Sequence, residues 1–258
     1  MIKLTRFDPP DKLTPGLVSE LTIEFQTSKK DVWRREDIKK ALLEMSHGKC
    51  CYCEIYVKEK STFMQVEHFL PKSKYPKHVV TWSNLLPSCQ RCNTQKGSHD
   101  TKKEPIIDPT DVDPREHIAF HLYRFKGKDE LGENTIEVVW LNDYHRLQLP
   151  RFEVGERIQK QLEILLDLAE VYESMFNAGK ANTQRRNRIV NGLKDVLREA
   201  LPNSEFSATA ATILIIDINY KEMKKLFQRL GLWDSELDKY EQQAKEIALD
   251  IVKPQARR

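Results

Sequence analysis

The most regular hydrophobic pattern lies in the last hundred residues. Ile158, Leu162, Leu165, Ala169, Tyr172 and Phe176 recur at spacings of four and three, as do Leu237, Tyr240, Ala244, Ile247 and Ile251, so each set falls on one face of an α-helix. Further helices are predicted over 189–201 and 208–230, with Gly179, Pro202 and Gly231 as breaks. Packing of these faces against one another is the expected use, and a partner-docking surface is the alternative. Nearer the start, Ile38, Leu42 and Met45 predict a helix over 31–47, capped by Asp31 and stopped by Gly48. Residues 16–25 read as a short helix and the opening MIKLTRF as an extended segment. Alternation from Phe63 to Phe69 predicts a strand with Phe63, Gln65, Glu67 and Phe69 on one side and Met64, Val66, His68 and Leu70 on the other. Two more apolar strands are predicted over 118–125 and 135–141, with KDELGEN as their hairpin turn; the Pro- and Asp-rich stretch 104–115 reads as a surface connection.

Composition narrows the class. A chain of 258 residues, 40% apolar and 31% charged, suffices for one large or two small globular domains. No apolar run approaches the ~18 residues of a membrane span, and the start lacks the apolar centre of a signal peptide. The expectation is a cytoplasmic protein with no membrane segment, where paired cysteines serve as metal ligands more often than as disulfides. Net charge is only +3, yet nine Lys or Arg face three acids between Lys58 and Lys103. Positive charge gathered on one stretch is what docking of a polyanion requires; keeping a loop soluble is the plainer reading.

That same stretch carries the candidate chemistry. Cys50 and Cys53 form one CxxC knuckle, Cys89 and Cys92 a second, and 35 residues separate them. Four thiolates are soft ligands that close a tetrahedral site, which selects a structural zinc with no open position. Adjacent residues rarely face one ion, so Cys51 is left outside the cluster. Held between the knuckles are Glu67 and His68, and beyond the second come Asn93 and Lys96. A carboxylate, an imidazole, an amide and an ammonium drawn together by a zinc clasp suit metal-assisted cleavage of a phosphodiester. Glu67 and Asn93 offer hard oxygen ligands of the kind that Mg or Mn prefers. A short helix over 89–96, capped by Ser88 and closed by Gly97, would set Cys89, Cys92 and Lys96 near one face and Asn93 about 100° further round. Lys96 would then point toward phosphate. Lys72, Lys74 and Lys77, interleaved with Tyr75, Pro71 and Pro76, can follow a nucleic-acid backbone without reading its sequence. Trp82 and Leu85 read as core.

In this order, CxxC, acid-His-x-x-Pro, Asn-Leu and CxxC-Asn-x-x-Lys, the stretch resembles the HNH (ββα-metal) endonucleases in their zinc-bearing form. More narrowly, MIKLTRF, GKCCYCE, VEHFLPKSKYP, WSNLLPSC and RCNTQKG resemble the PtuB-like HNH nucleases of Septu-type and retron-associated anti-phage systems. The resemblance implies His68 as general base, Asn84 as the residue that braces the loop and orients that base, a catalytic Mg or Mn ion, and a cut that leaves a 5′-phosphate. Many relatives carry Asp where Glu67 stands, so a water-bridged role for Glu67 stays open. His78 and His99 match no motif position. The narrower resemblance implies an ABC- or SMC-type ATPase partner of the PtuA kind; this chain has no GxxxxGK[ST] loop of its own.

The expected fold is therefore α+β and predominantly helical, a zinc-clasped ββα-metal HNH core with a C-terminal helical region. Its divisions are an N-terminal segment with helices at 1–48, the nuclease module at 49–103, a connecting loop and hairpin at 104–149, and the helical region at 150–258. The leading function is a metal-dependent endonuclease acting on nucleic acid, DNA by preference, in defence against phage. The alternatives are a zinc-stabilised module that binds nucleic acid or protein without cutting, and an HNH nuclease of another restriction or mobile-element system.

Overall fold

A computed structural model describes residues 1–57 and 63–252. Lys58 and Lys60, counted in the basic stretch above, lie outside the described residues. The chain is α+β and largely helical, and it divides into two compact units: Met1–Ala119 with Phe125–Asp143, and Phe120–Arg124 with Tyr144–Arg258.

In the first unit, α1 (Pro15–Ser28) is capped by the Thr14 side chain and buries Leu21 and Phe25. Helix α2 (Glu36–Met45) buries Ile38, Leu42 and Met45, the predicted face. It begins five residues later than expected. Asp31 pairs instead with Arg34, and Arg35 occupies the cap position without a side-chain bond. His47 and Gly48, at φ 56° and 75°, turn the chain out of α2 into the first knuckle. Then β1 (Met64–His68) pairs antiparallel with β2 (Leu85–Cys89), with Met64 opposite Cys89, Glu67 opposite Leu86 and His68 opposite Leu85. Helix α3 (Gln90–Lys96) follows directly. Its cap is Cys89, whose sulfur accepts from the Cys92 N–H, and not Ser88, which lies within β2. Trp82 and Leu85 are core.

After the short helix α4 (Pro114–His117), strands β3 (Ile118–His121) and β4 (Arg124–Gly127) form a hairpin. The turn is Leu122–Tyr123, both left-handed at φ 47° and 63°, a conformation these residue types do not advertise. The predicted second strand is instead part of helix α5 (Glu130–Val138). KDELGEN is its start: Asp129 caps it by accepting from the Gly132 N–H. Gly132 serves close packing, since a Cβ there would sit 2.0 Å from the His117 carbonyl oxygen.

The second unit contains α6 (Leu149–Asn177), α7 (Thr183–Glu199), α8 (Ser207–Ile216), α9 (Ile218–Arg229), α10 (Ser235–Ile247) and the short β5 (Asp250–Ile251). Helix α6 packs on α7, α8 and α9, and α10 packs on α7 and α8. The apolar faces meet as expected, through Ile158, Leu162, Ala169, Leu193, Met223, Phe227, Leu237 and Ala244. Two residues of the predicted seams fall outside it: Phe176 is exposed, and Ile251 is in β5. The single helix expected over 208–230 is broken at Asp217, at φ −60° and ψ 135°, whose side chain caps α9. Helix α8 is buried from Ser207 to Leu214, its Ser207, Thr209 and Thr212 included, at the middle of the bundle. Among the described residues, no helix is long and apolar enough to cross a membrane.

Candidate active site

The second knuckle straddles the β2–α3 junction, because Cys89 ends the strand and Cys92 lies in the first turn of α3. The first knuckle docks on β2 through the Cys51 N–H, which donates to the Pro87 carbonyl at 2.8 Å. This brings Cys50, Cys53, Cys89 and Cys92 together, all buried, with their sulfurs within 4.8 Å of one another. Cys53 and Cys89 sulfurs are 3.7 Å apart, close to the ~3.8 Å edge of a tetrahedron built on Zn–S bonds of about 2.3 Å. The donor set and spacing fit zinc. Cys51 is buried outside the cluster, and its backbone rather than its thiol does the pinning.

The ends of β1 and α3 carry the polar residues. Glu67, His68 and Asn93 line one cavity of ≈ 600 Å³, together with Lys72, Lys29 and Phe25. The His68 Nε2 is 2.9 Å from the Val79 carbonyl oxygen. A carbonyl only accepts, so Nε2 carries the hydrogen and Nδ1 keeps its lone pair. Burial, reinforced by the charge of Lys72, pushes the imidazole down to about 3, so it is neutral near pH 7. Its ring stands edge-on to Trp33, with ring centres 4.7 Å apart.

Glu67 is almost wholly buried, and burial raises its carboxyl to about 7, although Lys96 opposes the shift. The Lys96 Nζ is 2.6 Å from Glu67 Oε1, a charge-assisted pair that holds one carboxylate oxygen. Asn93, at the edge of the cavity, makes no side-chain hydrogen bond among the described residues. A cavity-lining carboxylate with a single lysine partner, beside an unbonded amide, is a donor set that fits a hard divalent cation.

Asn84 is buried and bonded three times: its Oδ1 accepts from the Leu70 N–H at 2.7 Å, and its Nδ2 donates to the carbonyls of Leu70 and His78. It thereby ties the two ends of the 70–78 loop. Lys74 approaches Asp100 at 3.7 Å, and Lys77 is exposed. Lys96 corrects the expectation of a phosphate contact. Its side chain is 0% exposed, and its ammonium also donates to the His68 carbonyl at 2.8 Å, so it braces the end of β1. Neither His78 nor His99 lines the cavity; His99 is engaged with Glu104. Sequence patterns missed Phe25 and Lys29, which precede the motif and reach the cavity only through the packing of α1, and Trp33, in the loop before α2, which packs against His68 and Lys72. They also missed Val79, whose contribution is a backbone carbonyl and leaves no trace in residue type.

A ββα unit with a four-cysteine cluster and His68 at the end of its first strand defines an HNH endonuclease, and residues 50–99 match that family. The resemblance extends along nearly the whole chain. Over 239 residues it is 44% identical to the Septu protein PtuB of Bacillus thuringiensis, covering 93% of this chain and 91% of that protein. Over 167 residues it is 29% identical to the Septu protein PtuB of Bacillus mycoides (strain KBAB4), covering 52% and 55% of the two chains. The chain belongs to the PtuB family and is an HNH endonuclease, a hydrolase.

Proposed function

We propose that the protein cleaves DNA as the nuclease of a Septu-type or retron-associated anti-phage system in the cytoplasm, with His68 as general base. The observation that carries this reading is the convergence of Glu67, His68 and Asn93 on one cavity, with Nδ1 of a neutral imidazole left to accept a proton. His68 takes that proton from the attacking water, and the Val79 carbonyl holds the ring by its other nitrogen throughout. Asn84 keeps the 70–78 loop, and hence the lysines on it, in place. Glu67 and Asn93 would hold Mg or Mn, which when bound supplies charge stabilisation at the scissile phosphate and the leaving oxygen. Lys72, Lys74 and Lys77 contact the backbone of the nucleic acid without reading sequence. The zinc at Cys50, Cys53, Cys89 and Cys92 is structural: it sets α3, and α3 sets Asn93.

A nuclease that reads no sequence needs a regulator. The relatives carry the name Septu protein PtuB, and the family resemblance implies an ATPase of the PtuA kind, which would dock on helices α6–α10. The decisive test of the chemistry is His68→Ala. It should retain its zinc and fold while cleavage of plasmid DNA with Mg or Mn falls by about 10²–10⁴-fold. Unchanged cleavage would remove His68 from the mechanism, and DNA binding with no cleavage by the unaltered protein would favour a binding module. For the partner, a chain lacking residues 150–258 that still captured the ATPase would rule out docking on these helices. An ATPase or reverse-transcriptase gene beside this one would identify the system.

A further inference from the structure

Two lysines at the cavity each stand against an aromatic ring. Lys29 ends α1 in the left-handed conformation, and its Nζ is 5.3 Å from the centre of the Phe25 ring. The Lys72 Nζ is 4.7 Å from the centre of the Trp33 ring. Phe25 and Trp33 meet edge-on at 5.6 Å, and Trp33 meets His68 edge-on at 4.7 Å. Three rings thus run from α1 to the proton-accepting imidazole, and each of the first two carries an ammonium. Both lysines line the cavity with Glu67, His68 and Asn93. Neither has a carboxylate partner among the described residues, whereas Lys30 pairs with Glu24, Lys74 with Asp100 and Lys96 with Glu67.

The distinction matters for an incoming anion. A carboxylate partner competes with phosphate for the ammonium and must be displaced. An aromatic face attracts an accessible ammonium only weakly, positions the charge, and leaves N–H donors free. A cavity of ≈ 600 Å³ lies within the ~300–1,000 Å³ range of small-ligand sites, enough for a short piece of sugar-phosphate backbone.

We propose that Lys29 and Lys72 are a phosphate-binding pair that seats the phosphodiester backbone beside His68, with Phe25 and Trp33 fixing where the two charges stand. This rests on the nuclease reading and extends it: Lys29 lies outside the matched residues 50–99, so α1 becomes part of the substrate site. It also gives Trp33 a positioning role toward both Lys72 and His68.

The test is the salt dependence of binding by the full-length protein to a labelled DNA duplex, in buffer without added divalent ion or chelator so that the DNA stays intact. Each phosphate contact contributes about 0.9 to the slope of log affinity against log salt. Lys29→Ala and Lys72→Ala should each make the slope shallower by about 0.9 and weaken binding several-fold at low salt, with Arg at either position restoring both. Lys30→Ala, next to Lys29 but paired with Glu24, should change neither. An unaltered slope in both Ala variants, or an equal loss in Lys30→Ala, overturns the pair. With Mg or Mn added, cleavage by those variants at the wild-type rate would do the same while leaving the nuclease reading standing. Failure of the unaltered protein to bind or cut DNA would take down the reading itself and the pair with it.

Discussion

Two buried glutamates, one in each unit, show how differently the two halves of this chain treat a charge. Glu241, on α10, accepts from the Tyr220 hydroxyl at 3.1 Å, from Lys224 at 2.6 Å and from Lys245 at 2.9 Å. Burial would raise its carboxyl, but the two lysines outweigh it, and the group is held below the usual glutamate range. Glu67 has one lysine, at 2.6 Å, and a carboxyl lifted by burial to about 7. Glu241 is fully satisfied and ties α9 to α10. Glu67 is left short of partners where it lines a cavity. Incomplete satisfaction of a buried polar group costs stability, and a fold keeps it where a ligand completes the set.

The contrast can be broken most severely by removing the thiolate-held ion. A structural zinc contributes on the order of 10–16 kcal/mol to a small domain. Cys89→Ser, or a strong chelator, should therefore unfold the region around β1, β2 and α3 while α6–α10 keep their helical circular dichroism and slow amide exchange. Equal loss in both units would mean that the bundle has no independent core. The next largest effect is expected from Lys96→Met, which strips Glu67 of its cation and frees the His68 carbonyl; denaturant unfolding should show a loss of about 3–5 kcal/mol above pH 7.

A third test sharpens the chemistry. Below about 7 Glu67 is protonated and cannot hold a cation, so cleavage should fall as pH falls through that value. A tenfold rise in Mg or Mn should move the acidic limb down by up to about one pH unit, because cation and proton compete for one carboxylate. His68, neutral down to about 3, adds no limb in this range. A limb that stays put at both ion concentrations would assign it to another group. The smallest effect is expected in the bundle: Glu199→Gln, which breaks the accessible Arg157–Glu199 pair at 2.7 Å, should cost no more than about 1 kcal/mol by the same denaturant measurement.

The expectations that held were those written in periodicity and spacing. Ile38, Leu42 and Met45, and the face from Ile158 to Tyr172, are buried as their 3.6-residue period requires. The two CxxC pairs converge into one four-sulfur cluster, as their spacing predicts. The expectations that failed lay where short-range signals were ambiguous. Gly132 looked like a turn residue but serves close packing of α5, and the true turn at Leu122–Tyr123 has no glycine or asparagine to announce it. Asp217 caps a helix in the middle of an apolar run that reads as continuous.

Residue types and their spacing alone determined that the chain would contain a thiolate cluster, an acid-histidine strand end and amphipathic helices, because these depend on neighbours a few positions apart. Only the tertiary structure decided that Lys96 lies buried beneath Glu67, that Val79 selects the His68 tautomer, that Lys29 stands at the cavity and that Trp33 packs on His68. Those outcomes depend on which distant surfaces exclude water together, and burial is a property of the packed chain that no local pattern specifies.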